Sequence, residues 1–253
     1  MVQRDDLIAY LADFLKVEEI DDVCPNGLQV EGKREVRKAV VSVSASEELF
    51  QRARVTKADM VIVHHGIIWK GGSGVVKGSY RKRIWALLEP NISLLAYHLP
   101  LDRHESIGNN ALAAHGLGLH EVRPFGKYHG KIIGFAGMLP DGGMGGPQFF
   151  KKVEDFYGNK SLVFSFGPER IERVGIISGG AQEDIHEAVS EKMHAFITGE
   201  VSEYVMQLAK EEHIHFIAAG HYATERLGIK ALGAHLSENF DIEVEYIDVP
   251  VPV

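Results

Sequence analysis

Met60-Val-Ile-Val-His-His-Gly66 is the stretch on which the fold turns. Four apolar residues, three of them β-branched, read as a short strand buried on both faces, and two histidines and a glycine stand where such a strand ends. Ala39-Val-Val-Ser-Val43 precedes it as a second apolar run, and Ile92-Ser-Leu-Leu-Ala-Tyr97 follows as a third. Helices are predicted between them, near 46–56 and 79–88, and Leu7, Ile8, Leu11, Phe14 and Leu15 recur at helical spacing in an opening helix near 4–16. Alternating strands and helices argue for a mainly parallel α/β sheet, in which ligands gather beyond the carboxyl ends of strands.

The same alternation continues in the second half. Strands are expected at 132–136, 161–164 and 174–178, and helices near 147–157, 182–194 and 201–212. The Gly- and Pro-containing stretch near 116–130 reads as a connection. His215-Phe-Ile-Ala-Ala219 then gives a strand leading into Gly220-His221, followed by a helix near 222–238 and a last strand near 242–249. This late element has to return to the first half if its His and Glu are to meet the first histidines. The expected architecture is two interlinked α/β domains with mainly parallel sheets and a metal site in the cleft at strand carboxyl ends. One domain is discontinuous, 1–125 with 215–253, and metal-binding; 126–214 forms an inserted second domain.

Composition narrows the function classes. The 253 residues are 45% hydrophobic and 25% charged, as in ordinary globular proteins. Lys and Arg number 27 against 35 Asp and Glu, a formal charge of -8, so broad attraction to nucleic acid or an anionic membrane is not expected. Cys24 is the only cysteine, which excludes an internal disulfide and a thiolate-rich metal site. Charges interrupt the opening amphipathic segment, and no apolar run approaches membrane-spanning length. A cytoplasmic protein is expected.

Against that background the strand exits carry the chemistry. His64 and His65 leave the 60–63 strand, Asp102 lies beyond the 92–97 strand, and His221 with Glu225 follows the 215–219 strand at i,i+4 spacing. An isolated HxxxE pair is commonplace on solvated helices; three strand exits with complementary ligand types are not. Nitrogen and oxygen donors without thiolate suit zinc, manganese or iron, and a carboxylate can bridge two ions. His98, four residues before Asp102, could ligate metal, orient a ligand or move a proton. Glu200, after Thr198-Gly199, is a candidate to contact substrate or support a ligand. His213 and His215 read as surface or satisfied core residues, and the remaining histidines lie in helices or loops without matching ligands. Gly71-Gly-Ser-Gly-Val-Val-Lys77-Gly78 misses the phosphate-loop register, because Gly78 follows Lys77, and reads as a mobile loop over the cleft.

Pro25-Asn-Gly-Leu-Gln-Val-Glu-Gly32, His64-His65-Gly66, Ala96-Tyr-His-Leu-Pro-Leu-Asp102, Phe196-Ile-Thr-Gly-Glu200 and Gly220-His-Tyr-Ala-Thr-Glu225 together resemble the Nif-three-like dinuclear metal-centre family, also called type 2 GTP cyclohydrolase I. The resemblance spans almost the whole chain. It implies two divalent metal ions held by His64, His65, Asp102, His221 and Glu225, with Glu225 as the bridge and His98 in the same pocket. It also implies a homohexameric toroid. The function expected is metal-dependent hydrolysis of a small, nucleotide-like molecule, with a catalytic role for His98; the alternative is a non-catalytic metal-binding, metal-delivery or scaffold protein.

Overall fold

Three apolar runs pair side by side as the centre of the first sheet. In a computed structural model that describes residues 1–252, the strand order is Glu243–Tyr246, Lys38–Ser44, Met60–His65, Ser93–Ala96 and Gly27–Val30. The first three pairings are parallel and the last antiparallel. Val61, Ile62 and Val63 are fully buried, as are Val40, Leu94 and Leu95, which explains why these strands read as continuous apolar runs rather than alternating ones. Helix Glu47–Val55 crosses between two of them. Its start is fixed by Ser46, whose Oγ accepts the Leu49 N–H at 3.1 Å.

The second sheet runs Leu162–Ser165, His215–Ala218, Ala195–Thr198, Arg173–Ile176, Lys131–Met138 and His120–Tyr128. It is mixed: only the pairings among its three central strands are parallel. The stretch expected as a connection near 116–130 is largely the strand His120–Tyr128. It is an edge strand, so the missing N–H of Pro124 costs no ladder bond on its open side, and the Gly and Pro that suggested a loop are tolerated there.

Contacts divide the chain into two compact units, Met1–Leu101 with Gly228–Pro250, and Asp102–Leu227. The changeovers fall at Asp102 and Gly228 rather than near 125 and 215. The strands His120–Tyr128 and His215–Ala218 both pair within the second sheet and take their neighbours with them. Each unit has its own core, one around Leu49, Phe50, Val61 and Leu94, the other around Phe149, Tyr157, Val174 and Ile197. Among the described residues no helix is long and apolar enough to cross a membrane.

Candidate metal centre

In the first unit, the ends of two adjacent parallel strands bring three imidazoles together. His64 and His65 close the strand Met60–His65, and His98 follows Ser93–Ala96. Their ring centroids lie 4.7, 5.0 and 5.5 Å apart, and one ligand nitrogen from each falls within 4.8 Å of the other two. Regular pleating would send His64 and His65 to opposite faces; at the strand end they converge instead. Gly66 makes the turn possible. A Cβ there would sit 2.2 Å from the Gln29 side chain, whose Oε1 accepts the Ile67 and Ile68 N–H groups and holds the exit loop.

Each ring is anchored through Nδ1. His64 donates to the Tyr97 carbonyl at 2.9 Å, His65 shares a 3.0 Å bond with Ser44 Oγ, and His98 donates to Asp22 Oδ1 at 2.8 Å. An oxygen on Nδ1 fixes the ring and turns Nε2 the other way, as second partners of metal-binding imidazoles do. Asp22 is buried and also accepts the N–H groups of Cys24 and Leu99 and the Asn26 amide. Burial pushes its carboxyl up, but His98 and these donors outweigh that and carry it down to about 2.

In the second unit, two segments carry Asp102 and the pair His221 and Glu225. Asp102 is buried, and its Oδ1 accepts Asn109 Nδ2 at 2.8 Å and Ser178 Oγ at 3.0 Å. The carboxylates of Asp102 and Glu225 each offer an oxygen within 4.8 Å of the other. His221 opens the one-turn helix His221–Thr224, and Glu225 caps it rather than continuing into Arg226–Asn239. The single helix expected over 222–238 is therefore broken at the residue that matters, yet His221 Nε2 still meets Glu225 Oε2 at 3.1 Å. The other ring nitrogen, Nδ1, donates to Glu200 Oε1 at 2.6 Å. Burial lowers the His221 pKa, and Glu225 and Glu200 more than reverse it, raising it to about 9. Gly179 lets this cluster close, since a Cβ there would stand 2.3 Å from Glu225 Oε1.

The sequence carries the candidate ligands but does not mark the partners that hold them. Asp22, Ser44, Asn109 and Ser178 carry no local motif; the Asp two residues before Cys24, whose side chain caps a turn, was the one available signal. Glu200 is placed against His221. His215 is a core histidine, with its Nε2 bonded to the Pro168 carbonyl at 2.9 Å and its Nδ1 accepting from Gly167.

The profile of Duf34/NIF3 (NGG1p interacting factor 3) matches residues 2–252. The chain belongs to this family. Among its Duf34/NIF3 relatives, a Pseudomonas aeruginosa protein named GTP cyclohydrolase 1 type 2 homolog is 44% identical over 94% of both chains. An Escherichia coli protein of the same name is 42% identical over 99% of this chain and 100% of its own. Of solved structures, protein ybgI, of unknown function, superposes with a TM-score of 0.93 at 42% identity, and a Thermus thermophilus protein with 0.88 at 33%, each over 100% of both chains.

Proposed function

We propose that the chain is a dinuclear divalent-metal hydrolase of a small, nucleotide-like molecule. His64, His65, Asp102, His221 and Glu225 would hold the ions, with Glu225 as the bridge that the resemblance implies. One observation carries the reading: His64, His65, His98 and His221 are all held through Nδ1 by an oxygen partner. Metal-binding imidazoles are held in this way, with Nδ1 on an oxygen that fixes the ring and its tautomer. The donor set fits zinc, manganese or iron, all nitrogen and oxygen with no thiolate. A bound divalent cation of this kind lowers the pKa of water towards neutrality and offsets negative charge on the reacting group.

The chain's own residues do the rest. Asp22 keeps the proton of His98 on Nδ1, so Nε2 is the atom that takes up or releases a proton beside the substrate. Asn109 and Ser178 fix one oxygen of Asp102, and Glu200 fixes His221. The name carried by the relatives directs the substrate search towards purine nucleotides. We further propose a cytoplasmic homohexamer, as the resemblance implies.

Turnover tests this. Protein loaded anaerobically with manganese, iron or zinc is screened against GTP, other nucleotides, phosphodiesters and short peptides. Metal-dependent hydrolysis of a nucleotide is expected in the native chain and lost in His98→Gln at unchanged metal content. Absence of turnover with every substrate, in protein holding its metal, overturns the hydrolase in favour of a metal store or carrier.

A further inference from the structure

Trp69 follows the histidine pair by four residues and is 37% exposed, although a tryptophan ring is among the largest apolar groups the chain has to cover. It is nevertheless fixed. Its Nε1–H donates to the Gly66 carbonyl at 3.1 Å, and its ring stands edge-on to His98 with centroids 5.4 Å apart and 6.1 Å from His65. A pinned, part-exposed aromatic ring touching two imidazoles of the cluster is not explained by packing alone.

The same ring lines a cavity of about 380 Å³ in the first unit, together with Ile67, Ile68, Val75, Lys77 and Tyr80. Its outer wall is the glycine loop that failed the phosphate-loop register. Gly71 and Gly74 there have φ of +83° and +63°, a backbone course that L side chains adopt only with strain. Val75 is 56% exposed, so the loop turns an apolar side chain outward instead of burying it. The cavity thus has an aromatic wall, aliphatic sides, a glycine-rich rim and a lysine, and its volume falls in the range of small-molecule sites. Flat heteroaromatic rings bind such surroundings by stacking, and an anionic tail would find Lys77.

We propose that Trp69 is the platform on which the substrate's base stacks, making this cavity the base subsite beside the histidine cluster and purine nucleoside monophosphates its simplest ligands. The assignment deepens the hydrolase reading and rests on it for the identity of the neighbouring chemistry. Trp69 selects for a flat ring, and Lys77 adds attraction for phosphate.

The chain has two tryptophans, so Trp85→Phe leaves Trp69 as the single emitter. In that background GMP and AMP should each quench the emission saturably, while ribose 5-phosphate should neither quench nor displace them. Calorimetric titration of GMP should show binding about tenfold weaker in Trp69→Leu and within about threefold of native in Trp69→Phe, because stacking needs an aromatic ring and not merely bulk. Metal content is measured on the same samples. Quenching without bound metal leaves the base subsite standing and defeats the metal centre; bound metal without quenching defeats the subsite alone. Equal affinity for GMP in Trp69→Leu, or ribose 5-phosphate binding as well as GMP, overturns the proposal.

Discussion

Replacing Asp22 by Asn removes one charge and reverses half of a buried acceptor. Oδ1 receives His98 Nδ1 and Cys24 N at 2.8 and 3.0 Å, while Oδ2 receives Leu99 N and Asn26 Nδ2 at 2.9 and 3.0 Å. Whichever way the new amide is turned, its NH2 faces two donors, and each buried donor left without an acceptor costs about 1–3 kcal/mol. The charge gives a second measure of the same interaction. The Asp22 carboxyl is carried from its ordinary 3.8 to about 2, a drop of roughly two units, which corresponds to about 2.5 kcal/mol of stabilisation by the ionised form. A depressed folded-state pKa contributes fully above the unfolded value and is lost as pH falls through the folded one. The contribution is therefore present at pH 7 and disappears between about pH 4 and pH 2. For a chain of this size, a loss of about 2–3 kcal/mol lowers the melting temperature by about 5–10 °C. Circular dichroism melts of native protein and Asp22→Asn at pH 7, repeated down to the lowest pH at which both still fold, measure the gap. A gap below about 1 °C at pH 7, or one that widens on acidification, refutes the reasoning.

Gly179→Ala puts a Cβ against Glu225 Oε1 and at a φ of +70°, so divalent-metal affinity should fall at least tenfold with the circular dichroism spectrum retained; unchanged affinity in a metal titration would show that Glu225 has room to move. Asp184 is pushed up to about 6 by burial and by Glu187 and Glu183, so its favourable contribution exists at low pH and is lost as pH rises through about 6. Asp184→Asn should therefore melt about 2–4 °C higher at pH 8, an effect of about 1 kcal/mol after solvent screening of a partly exposed group, and match the native chain at pH 4. Light scattering should give six times the 28.0 kDa chain mass; a monomer at working concentration rejects the hexamer.

The fold was legible wherever burial on both faces made a strand a continuous apolar run, as in Met60–His65 and Ser93–Ala96. It was illegible where the sheet meets solvent. His120–Tyr128 shows mostly exposed side chains and holds Pro124 and Gly126, so neither period nor composition marked it as a strand. The break before Arg226 was hidden as well, because His221 and Glu225 keep helical spacing in sequence while the one-turn helix His221–Thr224 ends between them. Candidate ligands could be named from residue type at strand ends. Their supporting partners could not, since Asp22 and His98 are 76 positions apart and Asp102 and Ser178 likewise 76, and only the folded chain brings them into hydrogen-bond range.

Two ions and a bridging carboxylate are the centre of the proposed chemistry, and the count of bound metal in native protein and Glu225→Gln tests them most directly. Gln nearly preserves the shape of Glu225 and removes the charge that offsets two nearby cations. Elemental analysis and native mass spectrometry of protein purified without chelator, then reconstituted anaerobically with manganese, iron or zinc, should give two ions per native chain and about one per Glu225→Gln chain, with folding intact by circular dichroism. Native protein that takes up none of the three metals, or a folded Glu225→Gln chain that keeps two tightly bound ions, contradicts it.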